Sequence, residues 1–247
     1  MLIADDFGLG RGHDKVILDL LEKRRIDGTS VMIDGDIDPL DMQRLCHARE
    51  KGAAVGLHLN LTHGFSGGNF HRPLGELLRL CLTGRLPQQA ESEFRRQAEA
   101  FYGAFGFLPD YYDGHQHCHC FPGLSRLAAA LPRETGTWMR VPLPGTFGGI
   151  ALNLRSAGPK VALIMALAFL ARRTFRKAGW PANTDFSGFL ALDRPQAVAR
   201  WLPRLLKARA DDTLLMVHPG RADDRSQCPG HAPQSRAVEA EILFRQS

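Results

Sequence analysis

A chain of 247 residues, 44% of them hydrophobic, is long enough to bury a substantial core, which excludes disorder as its main state. Its formal net charge of +5, from 31 basic and 26 acidic residues, is mild; apart from a locally basic stretch at 172–177 it forms no block, so no nucleic-acid partner is expected. Five cysteines (Cys46, Cys81, Cys118, Cys120 and Cys228) are an odd number without a small-domain framework, which argues against a disulfide scaffold and for a reducing compartment, by default the cytoplasm.

The chain opens Met1-Leu2-Ile3-Ala4-Asp5-Asp6, with no basic region leading into an apolar stretch, so no secretory signal is expected. Residues 2–4 read as a short first strand. Asp14 follows as a candidate N-cap for a helix over 15–24, whose apolar side is Val16, Leu18, Leu20 and Leu21. Gly28 closes that unit. Next come a strand at 29–33, a helix over 39–51 ended by Gly52, and a strand at 53–61. The later elements are a helix at 87–105, a histidine-rich strand at 111–119, helix 123–131, strand 138–142, helix 160–178, strand 186–191, helix 195–209, strand 213–217 and helix 234–245. About seven βα units without an internal repeat predict an α/β fold: a single domain over 1–247, an irregular, TIM-like (β/α) barrel of about seven parallel strands, with an open sheet as the alternative.

Two segments stand apart. Residues 62–86 read as a substrate loop, because Gly64, Gly67, Gly68 and Asn69 break regular structure while His63, Phe65, Phe70 and His71 suit contact with sugar rings; an ordinary surface loop is the plainer reading. Trp180-Pro181-Ala182-Asn183 is a second candidate rim, with Phe186 and Phe189 in the core. The apolar run 161–171, preceded by Lys160 and followed by Arg172, Arg173, Arg176 and Lys177, falls short of the roughly 20 residues that cross a bilayer. It reads as a buried helix, or alternatively as one lying on a membrane surface.

The densest chemical signal is Asp113-Gly114-His115-Gln116-His117-Cys118-His119-Cys120. On a strand, Asp113, His115, His117 and His119 would share one face and Cys118 and Cys120 the other. Three imidazoles and a carboxylate on one face point to a metal-dependent site, whereas the cysteines, on the far face and with no matching Cys-x-x-Cys elsewhere, do not make a structural zinc site. Asp5-Asp6, His58 and His218 also fall at strand ends, where α/β folds collect their chemistry. Neither a Gly-x-Gly-x-x-Gly after a strand nor a phosphate-binding loop is present, so no nucleotide cofactor is expected.

Three of these segments, Ala4-Asp5-Asp6-Phe7-Gly8-Leu9, Gly56-Leu57-His58-Leu59-Asn60-Leu61-Thr62 and Asp113-Gly114-His115-Gln116-His117-Cys118-His119, resemble the YdjC-like carbohydrate deacetylase family, which includes chitooligosaccharide and hopanoid-biosynthesis deacetylases. Arg140-Val141-Pro142 and Val217-His218-Pro219-Gly220 extend the resemblance in order, over residues 2 to about 243. It implies one divalent metal ion held by Asp6, His58 and His115, with Asp5 as general base and His218 as candidate general acid. The implied reaction removes an acetyl group from an N-acetylated sugar, as an oligosaccharide or a glycolipid, and the resemblance also suggests a homodimer.

The residue chemistry is compatible with that scheme. Two histidines and a carboxylate leave open positions on a metal, and amide hydrolysis needs an activated water beside a carboxylate base. Imidazole ligands favour zinc, although the family is often described as magnesium-dependent. Asp5 and Asp6, as neighbours on a strand, would face opposite ways unless the chain turns, for which Phe7-Gly8-Leu9-Gly10 offers the means. Arg140 is expected to orient Asp5 or hold its pKa down, with a structural ion pair as the plainer reading. His117 and His119 are left between three roles: hydrogen-bond donors behind the metal ligands, sugar contacts or further ligands. Asn60 and Asp113 are candidates for the first two. A phosphoesterase on the same ligands, or a non-catalytic sugar- or lipid-binding protein, are the alternatives.

Overall fold

A computed structural model of the chain describes residues 1–65, 70–226, 228 and 230–246. Seven strands, β1 (Leu2–Phe7), β2 (Gly28–Val31), β3 (Ala54–Leu59), β4 (Tyr111–Gly114), β5 (Trp138–Met139), β6 (Asp185–Ser187) and β7 (Thr213–Val217), make one parallel sheet in the order β5-β4-β3-β2-β1-β7-β6. Around it run α1 (Arg11–Glu22), α2 (Pro39–Glu50), α3 (Leu74–Leu82), α4 (Gln89–Phe105), α5 (Leu124–Ala129), α6 (Phe147–Ala157), α7 (Val161–Lys177), α8 (Pro195–Ala208) and α9 (Pro233–Phe244). The expected α/β architecture of parallel strands and crossover helices is present.

Strand parity explains both the core and the position of the site. Alternate residues point to opposite faces of a strand. Leu2, Ala4, Tyr112, Leu215 and Val217 pack outward into the large core under the helices. Ile3, Tyr111, Phe186, Leu214 and Met216 form a second, inner cluster. Carried to the carboxyl ends of the strands, the inner parity falls on Asp5, Ser30, His58, Asp113 and His218. Gly56 makes room on the same face: a Cβ there would stand 2.4 Å from the Tyr111 ring. Tyr111 in turn stacks on Trp138 at 4.5 Å and meets the Ser30 hydroxyl at 2.9 Å.

The sheet curls into a barrel-like shell with one incomplete seam. Beyond β5, Met139 makes a single parallel bridge to Ala182, its N–H donating to Pro181 at 2.9 Å. The Asn183 side chain imitates the missing strand, accepting from Val141 N–H at 2.7 Å and donating to its carbonyl at 3.0 Å. Residues 180–183 therefore close the seam instead of rimming a substrate site, and Trp180 is buried with its indole N–H on Ala129.

Several expectations are corrected. Asp14 is not the N-cap of α1, which begins three residues earlier; it lies inside the helix, where its carboxyl oxygen accepts from the N–H of Gly8 at 2.7 Å. The histidine-rich strand stops at Gly114, and His115–Cys120 forms tight 3-10 turns interrupted by Gln116 and His117 at positive φ (52° and 59°). Strands at 138–142 and 186–191 shorten to β5 and β6. The segment 62–86 contains α3, while Gly67, Gly68 and Asn69 lie outside the described residues. Helix α6, rich in glycine at its start, has no counterpart in the expected elements.

Helix α7 is only half buried. Its inner side is Val161, Met165, Leu167, Ala168, Ala171 and Phe175, whereas Leu163, Phe169 and Leu170 face outward. Among the described residues no helix is long and apolar enough to cross a membrane.

Candidate active site

The site begins with an irregularity in β1. Ala4 pairs with Thr29 and Phe7 with Val31, so Asp5 and Asp6 together stand opposite Ser30 alone. Such a bulge removes the alternation for one residue, and it is achieved by Asp6 adopting φ 69°, a left-handed conformation costing roughly 1–3 kcal/mol. The turn that lets both carboxylates reach one side thus lies at Asp6 itself. Gly8 supports it, at φ 94°, where a Cβ would meet the Met32 carbonyl at 2.5 Å.

Asp6 Oδ1 lies 3.2 Å from His58 Nε2 and 3.0 Å from His115 Nδ1. One ligand atom from each of these residues lies within 4.8 Å of the others, and all three side chains are buried. Behind them, Asp113 Oδ1 meets His58 Nδ1 at 2.5 Å, while its other oxygen accepts from Ser30 at 2.5 Å and lies 2.9 Å from Arg140 Nη2. A carboxylate on the far nitrogen of a ligating histidine fixes the ring and raises its basicity. The donor set and this backing carboxylate fit a divalent ion with open coordination positions.

Arg140 grips Asp5 through both carboxylate oxygens, at 2.5 and 2.6 Å, and is fully buried. Asp5 Oδ2 is 3.9 Å from His218 Nε2. Because Arg140 occupies the space between Asp5 and Asp113, a second grouping of Asp5, His58 and Asp113 holds a guanidinium where a cation would sit. Arg140 and His58 hold the Asp113 carboxyl down to about 2 in spite of burial. Burial would lower His58, yet Asp113 raises it to about 10. Burial likewise opposes ionisation of Asp6, but Arg236 and His115 outweigh it and keep the carboxyl well below the usual range. For His218 burial outweighs the pull of Asp5 and Asp6 and lowers it to about 4.

The tight turn after Gly114 separates the three neighbouring histidines. His115 turns to Asp6, with Cys228 Sγ 3.3 Å from its other nitrogen. His117 turns to the cavity and packs edge-on against Phe189 at 5.4 Å. His119 points behind the sheet, 2.7 Å from the Arg140 carbonyl and stacked on Phe175. The cysteines do not occupy an opposite face: Cys120 Sγ is 3.3 Å from His119 Nε2. Asn60 is committed to its loop, accepting from the N–H groups of Thr62 and His63 and donating to the His63 carbonyl.

Asp5, Asp6, His58, His115, His117 and His218 open on one cavity of about 300 Å³, whose apolar wall includes Val161, Ile164 and Phe189. Two residues of α9 that the sequence reading did not single out support its walls. Arg236 Nη2 donates to Asp6 Oδ2 at 2.5 Å, and its Nε donates to the His231 carbonyl. Glu239 accepts from the His218 N–H at 2.5 Å, burial pushing its carboxyl up to about 7. Their i, i+3 spacing looks like any exposed helical pair, and no sequence signal marks them as buried.

A further grouping, His13, Asp224 and His231, resembles a metal triad by proximity alone. The Arg221 N–H donates to His13 Nδ1 at 3.0 Å, so that nitrogen carries the lone pair and the neutral ring bears its proton on Nε2. This proton points at His231 Nε2, 2.8 Å away. Burial lowers His13 to about 4, which keeps it neutral, and the trio is a hydrogen-bonded brace between α1 and the loop before α9.

A family model described as "YdjC-like protein" matches residues 1–247. A chitooligosaccharide deacetylase of Escherichia fergusonii is 28% identical over 163 residues, covering 62% of this chain and 64% of that protein. One from Serratia marcescens is 30% identical over 146 residues, covering 56% and 57%. The chain thus spans less than two thirds of the length of these relatives. Among solved structures, a proposed cellobiose-phosphate cleavage protein of Enterococcus faecalis shares the fold, with a TM-score of 0.64 at 17% identity over 100% of this chain and 90% of that one.

Proposed function

Since the chain belongs to the YdjC-like family, we propose that it is a metal-dependent carbohydrate N-deacetylase that hydrolyses the acetamide of an N-acetylated sugar. Relatives named chitooligosaccharide deacetylases support the substrate class. The observation that carries the reading is the bulge at Asp5-Asp6, which turns two adjacent carboxylates toward one cavity in different company: Asp6 among imidazoles, Asp5 on a guanidinium.

In this reading Asp6, His58 and His115 hold a divalent ion, for which imidazole chemistry favours zinc, with magnesium as the alternative. When bound, that ion would acidify a water and polarise the amide carbonyl. Asp5 is the base. Arg140 fixes both of its oxygens, so it meets the water with one orientation and no rotational freedom. His218, neutral through burial and 3.9 Å from Asp5 Oδ2, relays the proton taken from water to the departing amine. His117, with no hydrogen-bond partner on its Nδ1, is a side chain free to bind the sugar from the cavity wall. The five free thiols suit a reducing, cytoplasmic setting.

The test is acetate release from N-acetylated oligosaccharides and from an N-acetylglucosaminyl lipid. Release should vanish with chelator and with Asp5→Asn, while Asp5→Asn retains its metal. Metal-loaded protein that releases acetate from neither substrate sinks the proposal, and phosphate release from generic esters would replace it with a phosphoesterase.

A further inference from the structure

The outer face of α7 carries its polarity the wrong way round. Ala162, Leu163, Ala166, Phe169 and Leu170 lie within one stripe at helical spacing, and that stripe faces out: Leu163 is 53% exposed, Phe169 49% and Leu170 52%. At the head of α6, Phe147 is 93% exposed. The last turns of the stripe are Arg173, Arg176 and Lys177, with the Arg173 guanidinium 5.2 Å from the Phe169 ring centre. Between residues 146 and 184 the chain has six basic residues (Arg155, Lys160, Arg172, Arg173, Arg176 and Lys177) and no aspartate or glutamate.

We propose that α6 and α7 form a docking surface for an anionic lipid bilayer, with α7 lying in the interface plane. Apolar side chains beside a cationic rim are the composition of interfacial helices, and this helix is too short and too charged at its end to span. Charge selects this occupant over a second copy of the chain. A two-fold contact through this face would bring together two segments of like positive charge, with no acidic residue in either to answer the other's cations. The docked face backs directly onto the cavity, since Val161 and Ile164 of the same helix line it together with Asp5, Asp6 and His218. Docking would therefore bring the apolar wall of the cavity to the lipid surface. The proposal stands independently of the reaction assigned above.

Co-sedimentation of the full chain with vesicles tests it. The wild type should pellet with vesicles of phosphatidylglycerol and phosphatidylcholine in equal parts, and stay in the supernatant with phosphatidylcholine alone. F169Q/L170Q should lower the partition coefficient at least about tenfold, as expected for withdrawing two large apolar groups. R173Q/R176Q/K177Q should lower it on the order of a hundredfold, at about fivefold per basic side chain. All five positions are exposed, and circular dichroism checks that the fold is kept. No binding of the wild type to anionic vesicles, wild-type binding by both variants, or a dimer in size-exclusion chromatography that F169Q/L170Q dissolves would each overturn the proposal.

Discussion

Arg236→Met isolates the electrostatics of the site. Arg236 is 1% exposed, and its guanidinium provides the cation on Asp6 Oδ2, while Oδ1 faces the two histidines. Methionine keeps much of the side-chain volume and removes the charge, leaving a buried carboxylate whose remaining neighbours are imidazoles. Breaking one partner of a buried pair costs about 3–5 kcal/mol. At about 2.1 cal/mol/K per residue, a chain of 247 residues has an unfolding entropy of about 0.5 kcal/mol/K, so the metal-free variant should melt about 6–10 °C lower. A divalent ion supplies the lost charge, so added zinc should raise the melting temperature of the variant by more degrees than that of the wild type. Differential scanning fluorimetry in chelator and in zinc measures both. A variant that melts within about 2 °C of the wild type in chelator, or gains no more from zinc, refutes the argument that Arg236 is the counter-charge of Asp6.

Asp113→Asn keeps the shape behind His58 but removes its charge; zinc affinity, read by competition with a chromophoric chelator, should fall about 10–100-fold, and an unchanged affinity would remove Asp113 from the proposed metal site. Asp14 gives a pH signature. Burial raises its carboxyl from 3.8 to about 8, so between those values the unfolded chain is ionised while the folded chain keeps its proton. Stability contributed by this group is fully present below about pH 4 and drains away as pH climbs toward 8, by up to about 1.4 kcal/mol per unit. Asp14→Asn should therefore gain melting temperature over the wild type steadily between about pH 5 and 8, and a pH-independent difference would count against it. Asn183→Ala removes both hydrogen bonds across the seam; about 2 kcal/mol, or about 4 °C, should be lost, with faster hydrogen exchange at the Val141 amide as the local readout.

Much of this site was legible because strands announce themselves twice, once by apolar runs and once by what ends them. Leu214, Leu215, Met216 and Val217 mark a buried strand, and His218 behind them is where such a strand delivers its chemistry. His58 and Asp113 were reachable by the same logic, and Asp6 with His115 through family motifs. The turn after Gly114 was not, because Gln116 and His117 adopt a backbone conformation that neither residue favours locally; packing around the site imposes it. Arg236 was hidden for a different reason. Its partner is 230 residues away, and an arginine on a helix gives no sign of whether it meets water or a buried aspartate. The outward face of α7 was half visible: the apolar run was plain, but only packing decides which side of a helix is inside.

The extra residue in β1 also ties chain length to chemistry. Removing either Asp5 or Asp6 would bring Ala4 and Phe7 into ordinary register with Thr29 and Val31, one residue between each pair on both strands. The resulting sheet would be more regular and would shed a strained backbone angle, yet a single carboxylate would have to face either Arg140 or the imidazoles. A one-codon deletion here should yield a protein that folds at least as readily but cannot present both carboxylates of the proposed reaction, so stability screens alone would score the damaged gene as an improvement.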